Sequence, residues 1–230
     1  MTLAAVKKKQ FCDVLRRDVT IQIALLRHAE AGVHGCFYGH SNPSLSVHGQ
    51  EQLPTIVQNL SHIAPRAIWS SDLVRAVETA EPIAKHFRLG YKTSPGLREM
   101  NFGKWEGLTW KEVELEYPED ARAWAKLFPH HRPPGGESFL ELQSRVVEQL
   151  QQLGEHPEAG CTLVVTHAGF IRTAVAWILG TPDERISRIC QNHGSLTTLE
   201  KLRNHWTVTA LNVSVPLLPN TRRSETEDRP

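Results

Sequence analysis

The sequence predicts an α/β sandwich, and three observations predict it. Apolar runs of strand length at 21–27, 67–70 and 161–166 alternate with stretches of helical periodicity, the pattern that lays helices on a central sheet. Two of those runs end in a histidine: Ile21-Gln22-Ile23-Ala24-Leu25-Leu26-Arg27-His28 and Cys161-Thr162-Leu163-Val164-Val165-Thr166-His167. Small residues follow both histidines, so each imidazole stands at the carboxyl end of a strand, where open α/β sheets bind ligands. Two imidazoles delivered there by distant segments imply one site.

The elements follow in order. Residues 1–19 form a peripheral N-terminal extension with a helical turn around Val14, and the first strand follows at 21–27. Residues 29–44 form a loop with glycines at 32, 35 and 39 and a proline at 43; loops this long inside a compact domain are often functional. A helix starts after Ser46 and runs to about Leu60, although Pro54 opposes it. Ala67-Ile68-Trp69-Ser70 is a buried strand, and Asp72 caps a helix to about Phe87, with a kink expected at Pro82. A short strand is expected at Tyr91 to Thr93. Residues 100–134, rich in Trp, Glu and Pro, read as an insertion with one or two short helices. Ser138-Phe139-Leu140-Glu141 matches a capping box, opening a helix with Leu142, Val146, Leu150 and Leu153 on one face. The strand at 161–166, a helix at about 170–179 and strands at 195–200 and 206–213 complete the domain. The polar tail from Asn220 is expected to be disordered.

Composition narrows the function. With 230 residues the chain fits one fairly large domain. Lys plus Arg number 26 against 25 for Asp plus Glu, a formal charge of +1, which argues against a dedicated nucleic-acid binder. Cys12, Cys36, Cys161 and Cys190 show no CxxC spacing and read as reduced thiols of a cytoplasmic protein. No apolar run approaches the ~18 residues of a membrane span, and the basic start with Lys7, Lys8 and Lys9 lacks the apolar centre of a signal peptide. The histidines show no zinc-type spacing, so no metal site is expected.

Four segments join Arg27-His28 as candidates for chemistry. Ser70-Ser71-Asp72-Leu73-Val74-Arg75-Ala76-Val77-Glu78-Thr79-Ala80 sets an arginine one turn into a helix after a strand. Leu97-Arg98-Glu99 precedes Asn101-Phe102-Gly103-Lys104-Trp105-Glu106-Gly107. Gly135-Gly136-Glu137-Ser138 and Thr166-His167-Ala168-Gly169 complete the set. Together they resemble the histidine phosphatase superfamily, the phosphoglycerate mutase-like family, over roughly residues 21–212. The resemblance implies a three-layer sandwich: a mostly parallel central sheet, helices on both faces and 100–134 as a lid insertion. It divides the chain into the extension 1–19, a histidine phosphatase domain at 20–213 and a tail at 214–230.

It also implies roles. His28 is the nucleophile that forms a phosphohistidine. Arg27 and Arg75 grip the phosphoryl oxygens, as planar guanidinium groups can in bidentate fashion. A protonated His167 adds a donor, and Glu99 protonates the departing oxygen. The cations come from protein, so the resemblance implies neither metal nor cofactor. The partner is a small phosphorylated metabolite, with no nucleic acid or membrane involved and edge pairing into a homodimer as an option.

The chain departs from the family at a few positions. Alanine stands at 29 and 168 where glycine usually follows each catalytic histidine; with positive φ an added methyl group costs on the order of 1 kcal/mol and tilts the imidazole, and with negative φ it changes little. His34 sits near the place of a usual asparagine. Cys36-Phe37-Tyr38-Gly39-His40 resembles the α-ribazole phosphatase branch, and Asn42-Pro43-Ser44-Leu45-Ser46 replaces an Asp-x-Pro-Leu motif. His34, Phe37, Tyr38, Gly39 and Trp105 are the expected substrate rim, with packing of the insertion as the other reading for Trp105 and Phe102. His130-His131-Arg132 reads either as a basic rim or as a solvated turn. The implied activity is hydrolysis of a small phosphomonoester, with α-ribazole-5′-phosphate as the named substrate. Phosphoglycerate mutase and a non-catalytic phosphate-ligand-binding protein are the alternatives.

Overall fold

The structure, a computed structural model, describes residues 21–32, 35–155 and 160–214. The expected extension at 1–19, His34 and the tail beyond Ser214 lie outside the described residues.

Six strands form one sheet: β1 (Ile21–Arg27), β2 (Pro65–Ser71), β3 (Lys92–Ser94), β4 (Cys161–Thr166), β5 (Leu196–Leu202) and β6 (His205–Val213). Their spatial order is β3-β2-β4-β1-β5-β6. The β3-β2, β2-β4 and β4-β1 pairs are parallel, while β5 and β6 add antiparallel pairs at one side. From β1 the chain crosses to β2 on one side; from β4 it crosses to β5 on the other. The crevice above β1 and β4 is therefore the switch point of the sheet.

The sheet is buried on both faces because its strands alternate between two cores. Ile23, Leu25 and Val164 enter one, against α5 (Phe139–Leu153) and α6 (Ala168–Leu179). Ala24, Leu26, Leu163 and Val165 enter the other, against α1 (Val47–Asn59) and α2 (Val74–Phe87). Side chains on a strand alternate sides, so continuous apolar runs such as Ile23 to Leu26 are what a doubly covered sheet requires. The three-layer expectation holds.

Local signals account for most helix boundaries. Ser46 caps α1 by accepting from the Gly49 N–H at 3.0 Å, and the helix continues through Pro54. The Ser138–Glu141 capping box forms as expected at the start of α5. The helix after β4 begins at Ala168, immediately after the histidine. The short strand expected at 91–93 forms one residue later, and α2 is continuous through Pro82.

The expected cap of α2 is corrected. Its N-cap position is Leu73, and Asp72 pairs instead with Arg98, whose Nε donates to Oδ1 at 2.7 Å. The first N–H groups of the helix find Asn42 Oδ1 (from Val74, 2.6 Å) and Ser71 Oγ (from Leu73, 3.3 Å). A two-pronged guanidinium is a better partner for a carboxylate than one amide N–H.

The 100–134 insertion contains two helices, α3 (Trp110–Glu116) and α4 (Pro118–Leu127). They share a small core of Trp105, Val113 and Ala121 with Phe37, Phe102 and Trp124 packed on it.

Candidate active site

The register of two parallel strands builds the centre. Arg27 lies opposite Thr166 in the β1–β4 ladder, and the ladder continues one step as the His28 N–H donates to the Thr166 carbonyl at 3.0 Å. His28 and His167 therefore leave the sheet side by side, with ring centroids 5.0 Å apart. Both are buried. Nδ1 of His28 lies 2.6 Å from the Ala29 carbonyl oxygen. A carbonyl only accepts, so Nδ1 carries the hydrogen and Nε2 keeps its lone pair.

Electrostatics favour that neutral form. Burial, followed by the guanidinium groups of Arg75 and Arg27, holds His28 well below its ordinary pKa of 6.5. Burial, Arg75 and His28 do the same to His167. The protonated His167 that the resemblance implies is thus disfavoured in the protein without a bound phosphoryl group. Two arginines and a second imidazole make a further positive charge costly there.

The alanines cause no strain. Among the described residues, only Arg88, Arg203 and Asn212 combine a side chain with a left-handed φ. Ala29 and Ala168 lie outside that region, and Ala29 N–H donates to Thr79 Oγ1 at 3.0 Å.

Both arginines are fixed by backbone. Arg75, 1% exposed, donates to the carbonyls of Gly39 (2.8 Å), Ser41 (2.9 Å) and Tyr38 (3.1 Å), and its Nε faces His28 Nε2 at 3.3 Å. Arg27 donates to the Gln191 carbonyl at 2.6 Å and to His193 Nε2 at 2.7 Å. Burial pulls Arg27 down to about 10, which leaves it charged at neutral pH.

The 38–41 loop that holds Arg75 is itself held by Glu106. Its carboxylate accepts from the N–H groups of Gly39 (2.9 Å), His40 (2.8 Å), Ser41 (3.0 Å) and Phe102 (3.0 Å), and from the Ser41 hydroxyl. Burial opposes ionisation of Glu106, but these bonds outweigh it and set its pKa below the usual value.

Glu99 reaches the same centre from the opposite side. Its Oε2 accepts from the Gly169 N–H at 2.8 Å, so the carboxylate rests on the N-terminus of α6; Oε1 accepts from the Met100 N–H at 2.9 Å. Arg145 braces its backbone, donating to the carbonyls of Arg98 (2.8 Å), Gly96 (2.9 Å) and Glu99 (3.2 Å) and pairing with Glu137 at 2.6 Å.

These groups surround a cavity of about 330 Å³ lined by Arg27, His28, Arg75, Glu99, Phe37 and Tyr38, among others. His167 is fully buried behind His28, and neither of its ring nitrogens has a partner. The structure thus brings together the five residues expected at the centre, and Phe37 and Tyr38 at its rim. Gly39 and Trp105 do not line the cavity. Gly39 is buried against the Met100 carbonyl, where a Cβ would stand 1.8 Å away. Trp105 is 0% exposed inside the insertion, its ring 5.4 Å from that of Trp124. His131 and Arg132 also turn elsewhere, to Asp120 and Glu141.

Two lining residues escaped the sequence reading, Arg172 and His193. Arg172 lies one helical turn after Ala168, a spacing that signals a shared face. His193 lies in the segment between α6 and β5, 5.4 Å from the His28 ring, and nothing in its neighbourhood marked it.

Comparison with known proteins agrees with this fold. The chain is 28% identical over 194 residues to the adenosylcobalamin/alpha-ribazole phosphatase of Escherichia coli, covering 84% of this chain and 96% of that protein. It is 31% identical to phosphoserine phosphatase 1 of Hydrogenobacter thermophilus, covering 80% and 89%. The crystal structure of the alpha-ribazole phosphatase from Shigella flexneri superposes with a TM-score of 0.77 at 27% identity, covering 84% and 96%. The profile of the histidine phosphatase superfamily (branch 1) matches residues 23–214, and the chain belongs to that family.

Proposed function

We propose that this chain hydrolyses phosphomonoesters of small metabolites through a phosphohistidine formed at Nε2 of His28. The observation that carries the reading is the Nδ1–H bond of His28 to the Ala29 carbonyl, which leaves the lone pair on Nε2, facing Arg75. In the first step Nε2 attacks phosphorus. The N–P bond forms, the ester P–O bond breaks, and Glu99 gives its proton to the departing oxygen. In the second, Glu99 takes a proton from water, whose oxygen bonds phosphorus as the N–P bond breaks. Inorganic phosphate is released.

Arg27 and Arg75 stabilise charge on the phosphoryl oxygens, pre-set by the backbone so that little reorganisation is needed. A dianion beside His167 opposes the pull of the arginines and raises its proton affinity, making it a donor in the loaded site. Protein groups supply the positive charge, so the scheme needs no metal or other cofactor.

The relatives named as alpha-ribazole phosphatases favour α-ribazole-5′-phosphate as the substrate, a place in cobalamin biosynthesis. The relative named as a phosphoserine phosphatase makes phosphoserine the rival. We place the reaction in the cytoplasm, in keeping with the free thiols of Cys36, Cys161 and Cys190. No described helix is long and apolar enough to cross a membrane.

The test is phosphate release from α-ribazole-5′-phosphate, phosphoserine, 3-phosphoglycerate and p-nitrophenyl phosphate by wild type and His28→Ala, without added metal. Wild-type turnover that disappears in His28→Ala, with an acid-labile, base-stable phosphoprotein in wild type alone, supports the scheme. Turnover retained in His28→Ala overturns it.

A further inference from the structure

A second cavity opens beside the first. It measures about 670 Å³ and shares Phe37, Glu99, Phe102, Ala168 and Arg172 with the catalytic pocket. Its walls are mostly apolar and aromatic, from Met100, Phe102, Trp124, Phe128, Phe139 and Leu142, with Lys126, Glu184 and Ser187 also lining it. Glu99 stands at the junction. An ester whose phosphoryl group lies at His28 and whose bridging oxygen faces Glu99 must send its alcohol past that carboxylate, into this annex. The volume lies within the range that encloses drug-sized ligands and far exceeds a serine or glycerate.

The annex also holds unmatched donors. Thr173 lines it, is fully buried, and its hydroxyl has no hydrogen-bond partner. Arg172 lines both cavities, and its Nε is buried without a partner. Both sit on α6, one turn beyond Ala168 and Gly169. A buried donor without an acceptor is costly in an apolar setting, and a ligand acceptor placed between these two relieves that cost.

We infer that the annex is the leaving-group site, built for an alcohol with an apolar, aromatic body that carries a hydrogen-bond acceptor, received by Arg172 and Thr173. The inference rests on the phosphatase reading for its chemistry but not for its binding site. It makes Arg172 and Thr173 determinants of specificity.

Three esters of alcohols with similar intrinsic reactivity test it: ethyl phosphate, 2-phenylethyl phosphate and 4-(2-phosphonooxyethyl)benzoate. Wild-type kcat/KM is expected to rise at least tenfold from the first to the second, and several-fold again to the third. Thr173→Val and Arg172→Met should each erase the second gain while keeping the first. Equal kcat/KM for all three esters, or a carboxylate gain that survives both variants, overturns the inference. Calorimetric binding of 4-(2-hydroxyethyl)benzoate to His28→Ala separates the two readings. Binding that weakens at least tenfold in His28→Ala/Thr173→Val supports the annex even if no ester is hydrolysed, an outcome that would sink only the phosphatase reading. No binding of this alcohol overturns the annex whatever the kinetics.

Discussion

Gly169 and Glu99 share one small space: a Cβ on Gly169 would stand 2.0 Å from Oε1 of Glu99. The missing side chain lets the carboxyl group settle on the N-terminus of α6, where the Gly169 N–H holds Oε2 at 2.8 Å. The proposed proton donor is thus located by an atom that is absent. Gly169→Ala should move the carboxylate by about an ångström and lower kcat about 10²-fold. Helix propensity favours alanine by up to about 1 kcal/mol, so thermal stability should hold or rise. An unchanged kcat would remove Glu99 from the chemistry, and a collapse of the melting temperature would make Gly169 a packing residue.

The imidazoles make stability depend on pH in a defined direction. Burial and the arginines lower the pKa of both His28 and His167 below 6.5. Folding therefore excludes protons that the unfolded chain accepts once the pH falls below that value. The contribution is intact above about pH 6.5 and erodes below it, by up to about 1.4 kcal/mol per pH unit for each histidine. His167→Gln should flatten the decline of the urea midpoint between pH 6.5 and 5. Parallel profiles for wild type and variant would mean that His167 titrates normally. For the same reason neither imidazole should add a limb near pH 6.5 to kcat/KM beyond the one that the second ionisation of the free phosphomonoester, at about pH 6, imposes.

The centre was legible where strands do the positioning. An apolar run ending in Arg27-His28 and another ending in Thr166-His167 fix the imidazoles once the two strands pair, because register then leaves no freedom. Non-local partners were not legible. Asp72 had the residue type and place of a cap, yet Arg98, 26 positions away, claims it, and Asn42 supplies the acceptor from the loop. His193 reached the site through a loop without periodicity, anchored by Gln191, whose side chain bonds Ser195 and Thr197. Such loops take their course from tertiary contacts, which spacing along the chain does not encode.

Glu106 illustrates a motif whose role needed the fold. It sits inside the Phe-Gly-x-Trp-Glu-Gly segment, yet its work is to gather the 38–41 loop that locks Arg75. Glu106→Gln keeps the size but places an amide donor among donors. It should lose on the order of 3 kcal/mol of stability and lower kcat/KM by loosening Arg75. The carboxylate titrates below its ordinary value, so its contribution is complete above about pH 4.5 and disappears as pH falls through the folded value. The stability gap between wild type and Glu106→Gln should accordingly narrow toward pH 3. A gap independent of pH would assign the loss to shape and not to charge.

Trp105 separates packing from recognition. The sequence offered it as substrate rim or as packing for the insertion, and the structure buries it completely, surrounded by Phe37, Trp110 and Trp124. Its indole N–H has no partner, so phenylalanine forfeits volume but no hydrogen bond. Trp105→Phe should therefore cost about 1.5 kcal/mol or less and leave the ranking of substrates by kcat/KM unchanged. Trp105→Ala opens a cavity in a core of few residues and should cost about 3–5 kcal/mol, read as a lowered melting temperature. If Trp105→Phe instead weakens aromatic esters selectively while the fold stays intact, the indole reaches substrate through a movement of the insertion. Trp124, which lines the annex itself, is the ring whose replacement should change that ranking.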